Sequence, residues 1–286
     1  MPVTARARGE RGGEEPDAVL GQEPEEIVSR AAGVGRERLD RSGLDVFLTG
    51  LIGGVEVSLG ALAAMIVLGV VTGAFPRVGL YGGLALAGLV FPVGFLFVIT
   101  GRSELFTENF LIPVVAVLTR ERPVSSLAGV WALSWCGNLI GCGAMAALLS
   151  VPQAIGSPIL DGYRAYSVYK LGLGTPGLFV SAMLAGMAMT VLTWMILAVR
   201  HPVGRMLVIW AAGYVLFAAN LSHVIVSAAI LLVGFARAGH DFLDVTRYIG
   251  VTTFGNLVGG VGLVTVFRFA QAREKQRRRR RPGLLG

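Results

Sequence analysis

Residues 100–109, TGRSELFTEN, set Arg102, Glu104 and Glu108 between two apolar runs, VGLYGGLALAGLVFPVGFLFVI (78–99) and FLIPVVAVL (110–118). The reading of this stretch decides the fold. As an exposed loop it would separate two spans; as a break inside one span it would hold charges at membrane depth. The loop reading fails because FLIPVVAVL is too short to cross about 30 Å of hydrocarbon as a helix. It would also invert everything downstream against the distribution of basic residues. Irregular backbone and ionisable groups are tolerated at that depth only where protein or water satisfies them. The stretch is therefore expected to fold back into a helix bundle and line a path.

The rest of the chain fits an all-α integral membrane protein. Its 286 residues are 54% hydrophobic and 15% charged, with 40 glycines, and the mean hydropathy is +0.68, far from soluble-domain usage. Apolar runs long enough to span lie at about 45–72, 78–119, 124–150, 175–199, 204–236 and 247–269. That predicts six spans, the second and fifth overlong. Residues 1–43 contain no apolar core of a secretory signal and read as a retained tail. Within it, PEEIVSRAAGVGRERLDRSG (24–43) predicts a solvated amphipathic helix leading into the transmembrane domain, residues 44–270.

Residues 271–286 form a basic tail carrying Arg273, Lys275 and Arg277 through Arg281. With the loops at 120–122 and 200–205 it outweighs Arg77, Arg164, Lys170, Arg237 and Arg247 on the other side, placing both termini in the cytoplasm at the plasma membrane. The tail is read as a topology anchor on anionic lipid headgroups, not as a nucleic-acid site. Cys136 and Cys142 are six residues apart in one span, so they form no local disulfide and read as packing residues. The three histidines form no cluster with them, so neither a metal nor another cofactor is expected.

Internal repetition comes next. CGNLIGC (136–142) and FGNLVGG (254–260) each pair an asparagine, Asn138 or Asn256, with glycines at i and i+4, a pattern for close helix approach with a buried amide needing partners. They occupy corresponding places in two three-span halves, about 44–150 and 175–270, which must have opposite topology. Such inverted repeats build a path at their interface from helices broken near mid-membrane. The two breaks are then TGRSELFTEN, with Thr107 31 residues before Asn138, and the stretch around His223, 33 residues before Asn256.

Taken in order, GRSELFTENFLIPVVAVL, WCGNLIG, LSHVIVS and GNLVGG resemble the formate/nitrite transporter family over residues 40–270. The resemblance implies a homopentamer of aquaporin-like protomers, each with its own pore for small monovalent anions or their conjugate weak acids. By position it implies a loop of Glu104, Leu105, Phe106 and Thr107, apolar constriction residues Phe91 and Phe95, a central His223, a vestibule Lys170, and the paired Asn138 and Asn256. The chain departs from the pattern at Arg102, at Val226 and Ser227 after the histidine, and at Gly186, marking a divergent branch.

The chemistry follows without the family. A bare anion crossing a dry constriction loses its hydration at a cost of many kcal/mol, whereas a neutral acid loses far less. Lys170 is read as attracting the anion and His223 as exchanging a proton with it, with Thr107 supplying a hydroxyl donor. The alternatives are a packing histidine, a snorkelling lysine and ordinary core aromatics. Glu56 shares a helix face with Gly53 and Gly60 and suggests an intramembrane ion pair with Arg102. Two other classes stay open. GRSE with a downstream histidine fits an intramembrane serine protease, and a non-transporting scaffold needs no site at all.

Overall fold

The computed structural model describes residues 21–279, and among them every regular element is helical. Helix α1 (Pro24–Leu39) is followed at once by α2 (Gly43–Ala74), which starts where Ser42 Oγ accepts the Asp45 N–H at 3.2 Å. Then come α3 (Gly79–Ala87), α4 (Val93–Gly101), a short turn of helix at Phe106–Phe110, α5 (Ile112–Leu118) and α6 (Val124–Leu149). The second part runs α7 (Ser157–Leu171), α8 (Thr175–Ala198), α9 (Pro202–Ala218), α10 (Val224–Ala238), α11 (Phe242–Leu257), a π-helical stretch Val258–Thr265 and α12 (Val266–Arg279). Helices α2, α6, α8 and the continuous Phe242–Arg278 are long and apolar enough to cross a membrane.

Both overlong apolar segments are interrupted. Helix α4 ends at Arg102, whose left-handed φ of 59° turns the chain into the extended Leu105 before helix resumes. Helix α9 ends before Asn220, also left-handed at φ 52°, and the chain re-enters helix at His223. Asn tolerates that conformation because its short polar side chain adds little steric cost.

Glycine sets the helix spacing. A Cβ on Gly54 would lie 2.2 Å from the Asn138 carbonyl oxygen, and one on Gly186 2.1 Å from that of Asn256. Helices α2 and α6, and α8 and α11, therefore pack backbone to backbone. Gly186→Ala is expected to force α8 and α11 apart, with overpacking costs at or above the usual range of about 1–3 kcal/mol. Gly143→Ala, where nothing lies within 4 Å of the new methyl, should be neutral or stabilising. Thermal unfolding of the two variants in detergent checks this, and equal midpoints would refute the close packing.

Three features differ from the sequence reading. Helix α1 is solvated on one face only: Glu26, Ser29, Arg36 and Glu37 are exposed, while Ile27, Ala31 and Ala32 are buried against Ile112, Val115, Trp194 and Leu197. Its Gly35 has room for no side chain, since a Cβ would sit 2.3 Å from the Ile112 carbonyl oxygen. The linker between the halves contains α7, which packs on α2 and α10. Cys136 is exposed on the outer surface of α6, whereas Cys142 is buried. Of the basic tail, residues 280–286 lie outside the described residues, and α12 continues past residue 270 without a break. Outside the bundle, Ile52, Ile140, Leu148, Val180, Leu207 and Phe267 are exposed. This apolar surface suits lipid or further copies of the chain.

Candidate functional site

The two breaks meet in the middle of the bundle. Thr107 Oγ1 lies 2.7 Å from His223 Nε2, and both residues are fully buried. His223 Nδ1 accepts the Val226 N–H at 3.2 Å, so the imidazole is the N-cap of α10. A nitrogen that accepts carries no proton, which assigns the hydrogen of the neutral ring to Nε2 and makes Nε2–H the donor to Thr107. The Thr107 hydroxyl hydrogen is then free for a third group.

Each break is held by one asparagine. Asn138 Oδ1 accepts the Phe106 N–H at 2.8 Å, while its Nδ2 donates to the carbonyls of Gly50 at 2.7 Å and Glu104 at 2.9 Å. Asn256 repeats the pattern, accepting from the Val224 N–H at 2.9 Å and donating to Ala182 at 2.7 Å and Ser222 at 2.9 Å. A fully buried amide is satisfied by binding the backbone that a broken helix leaves unpaired. The match registers Phe106 with Val224 and so Leu105, not Thr107, with His223. Thr107 reaches the imidazole from the opposite break.

Apolar side chains close the path on both sides. Leu105 and Phe106 are buried, Phe106 edge-on to Phe110 at 4.9 Å between centroids. Phe95 lies edge-on to the His223 ring at 6.1 Å and to Phe91 at 5.1 Å, and Phe91 stacks on Phe217 at 4.7 Å. Phe217 stacks in turn on Tyr166, whose ring lies 5.4 Å from Lys170 Nζ. Lys170 is fully buried, its ammonium donating to the Asn220 carbonyl at 2.5 Å and Ser222 Oγ at 3.3 Å, just ahead of His223. A third N–H is uncommitted.

Glu104 has a different place from a pore acid. It is 2% exposed and accepts from the Arg41 guanidinium and, at 2.6 Å, from Asn109 Nδ2, with Arg38 Nε 3.9 Å away. Arg38 also donates to Asn109 Oδ1 at 2.8 Å. The segment after α1 is thus latched onto the first break. The pairing of Glu56 with Arg102 is corrected: Glu56 accepts from Ser103 Oγ, and Arg102 is exposed and in none of the ion pairs among the described residues. Close helix contact explains this, since Gly101 leaves only 2.8 Å between a would-be Cβ and Glu56 Oε1. Ser103 bonds Glu56 and the Val98 carbonyl and makes no hydrogen bond to His223, which removes the geometry a serine nucleophile needs.

Sequence reasoning missed Arg38, Arg41, Ser181, whose hydroxyl accepts the Ser222 N–H at 3.0 Å, and also Asn220 and Ser222. The last two were findable, because AANLSH puts three polar groups together in an apolar run. Outside the bundle, Arg122 chelates Asp40 at 2.7 and 2.5 Å, and its guanidinium holds that carboxyl below the usual carboxylate range.

Known proteins share this fold. The family model for formate/nitrite transporters matches residues 25–270. The uncharacterized transporter YrhG of Bacillus subtilis (strain 168) is 24% identical over 263 residues, covering 91% of this chain and 97% of its own. Among solved structures, an FNT family ion channel superposes with a TM-score of 0.76 at 17% identity, covering 86% of this chain and 98% of that one. A pentameric formate channel with formate bound gives 0.66 at 20% identity, covering 80% and 96%. With a matching model across the broken spans, the asparagine clamps and the buried histidine, this multi-pass membrane protein belongs to the formate/nitrite transporter family.

Proposed function

We propose that the protein conducts small monovalent anions of the formate and nitrite type, or their conjugate weak acids, across the plasma membrane, with proton exchange at His223. It works as a homopentamer of independent pores; the structural likeness to a pentameric formate channel supports the pentamer. Each protomer is read as six spans in two inverted three-helix repeats, aquaporin-like, with spans two and five broken. The identical hydrogen-bond sets of Asn138 and Asn256 support this symmetry. The spanning unit is residues 44–270, between an N-terminal segment 1–43 and a basic tail 271–286, both cytoplasmic and in contact with membrane lipid.

The observation that carries the reading is the buried Thr107–His223 pair between the Phe91–Phe95 and Leu105–Phe106 barriers. An anion drawn to the free Lys170 N–H reaches this pair at the entrance to an apolar constriction. A protonated His223 passes its Nε2 proton through the Thr107 hydroxyl to the anion. The neutral acid then crosses without the desolvation penalty of a bare charge. The ring left neutral carries its hydrogen on Nδ1, and it caps α10 again only after that hydrogen has left Nδ1 and Nε2 has been reprotonated. The test is flux of formate, nitrite, acetate, lactate, chloride and hydrosulfide into proteoliposomes across a pH range. Uptake of one or more weak-acid anions, rising as the outside is acidified, is expected; no flux of any of the panel would overturn the reading.

A further inference from the structure

On the side of the constriction that carries α1, the structure holds two charged groups that the mechanism above does not use. Glu108 follows Thr107 directly, and its Oε1 is buried with no hydrogen-bond partner. Arg102 precedes the constriction residues and is in none of the ion pairs among the described residues. Both line one cavity of about 240 Å³, together with Arg38, Arg41, Ser103 and Glu104. The cavity is bordered by residues immediately before and after Leu105, Phe106 and Thr107, so it lies directly behind the constriction.

The other charges around it are already committed. Arg41 and Arg38 serve Glu104 and Asn109. Glu56, which approaches from α2, takes the Ser103 hydroxyl. Helix α8 contributes Thr193 and apolar side chains but no charge, and α4 and α5 contribute Ile99 and Ile112. A carboxyl with an unpartnered buried oxygen and a guanidinium in no ion pair among the described residues therefore share a space of about 240 Å³, large enough for a small carboxylic acid.

We propose that Glu108 and Arg102 form a second proton-exchange site at the α1 end of the path. This rests on the transport reading and deepens it. A neutral acid HA emerging past Thr107 transfers its proton to the Glu108 carboxylate, giving A⁻ and a neutral Glu108 carboxyl. The O–H bond of the acid breaks, that of Glu108 forms, and total charge is unchanged. The new anion is held by Arg102, which recaptures it from the apolar constriction and directs it outward. Glu108 then releases its proton to water on the same side. His223 loads the proton and Glu108 removes it, so the two titrating groups flank the apolar barrier.

The test uses full-length protein in liposomes, with formate as probe and the pH of the two compartments set independently. In the parent protein, raising the pH on the α1 side should speed net movement toward that side. Glu108→Gln cannot accept the proton and should reduce that response by about tenfold or more, leaving the response to pH on the opposite side, which belongs to His223. A Glu108→Gln variant that assembles and keeps both responses would overturn the proposal. If that variant fails to assemble, Glu108→Asp takes its place: a changed α1-side profile with an unchanged opposite-side profile supports the site, and two unchanged profiles refute it. Failure of the transport reading itself would appear separately, as absence of formate flux in the parent protein.

Discussion

His223→Asn is expected to assemble normally and to lose acid-stimulated uptake of a weak acid by about 10²-fold or more, the usual lower bound for removing a positioned proton-transfer group. The histidine has two jobs in this structure. As N-cap of α10 it offers Nδ1 to the Val226 N–H, and Asn is among the best residues for that position. The fold should therefore survive. The Nε2 side, bonded to Thr107, is where a proton would be exchanged, and no asparagine atom titrates there. Flux measured against outside pH should be flat and low, a leak or an ion conductance. An assembled His223→Asn protein with the parental pH profile would make the histidine a cap and nothing more.

The economy of the centre lies in how few groups hold two broken helices together. Two amides satisfy the loose backbone of both breaks, which leaves the imidazole and the Thr107 hydroxyl unencumbered on the side facing each other. Because Nδ1 caps α10 and Nε2 holds the hydrogen of the neutral ring, protonation of the imidazole takes place at Nδ1 and releases the Val226 N–H, so proton exchange at His223 is coupled to the cap of α10.

Much of this was legible in the sequence because lipid is an unforgiving solvent. An asparagine in an otherwise apolar helix must find partners, so Asn138 and Asn256 announced buried contacts, and the short FLIPVVAVL forced the break. What stayed hidden depends on which surfaces meet. The apolar stripe of α1, with Ile27 and Ala31, has the same pattern whether it faces water or Ile112, so its docking could not be read. Helix α7 carries enough polar residues to pass for a loop between halves. Glu56 and Arg102 were paired by depth alone, whereas the left-handed turn at Arg102 brings Ser103 to Glu56. The two-residue offset between Thr107 and Leu105 in the register with His223 likewise follows from hydrogen bonds that spacing in the chain only approximates.

Arg41→Ala is expected to be the most destabilising charge deletion in the protein, costing about 3–5 kcal/mol, the range for stripping one partner from a buried pair. Its partner Glu104 is 2% exposed, and the remaining cation, Arg38, stands 3.9 Å away and is shared with Asn109. The carboxylate would be left with Asn109 as its main donor. Because the Glu104 backbone carbonyl is also clamped by Asn138, the side chain cannot leave for water without pulling on the first break. Replacing the acid as well, in Arg41→Ala/Glu104→Gln, should recover part of the loss, since a neutral amide needs no counter-charge. Arg102→Ala should change stability little, because that side chain is exposed and unpaired among the described residues. Thermal unfolding in detergent, with the rate of proteolytic release of α1 as a second readout, orders the three variants. A parental melting temperature and intact α1 in Arg41→Ala would mean that the apolar contacts of α1 alone hold it in place and that the latch on Glu104 contributes nothing.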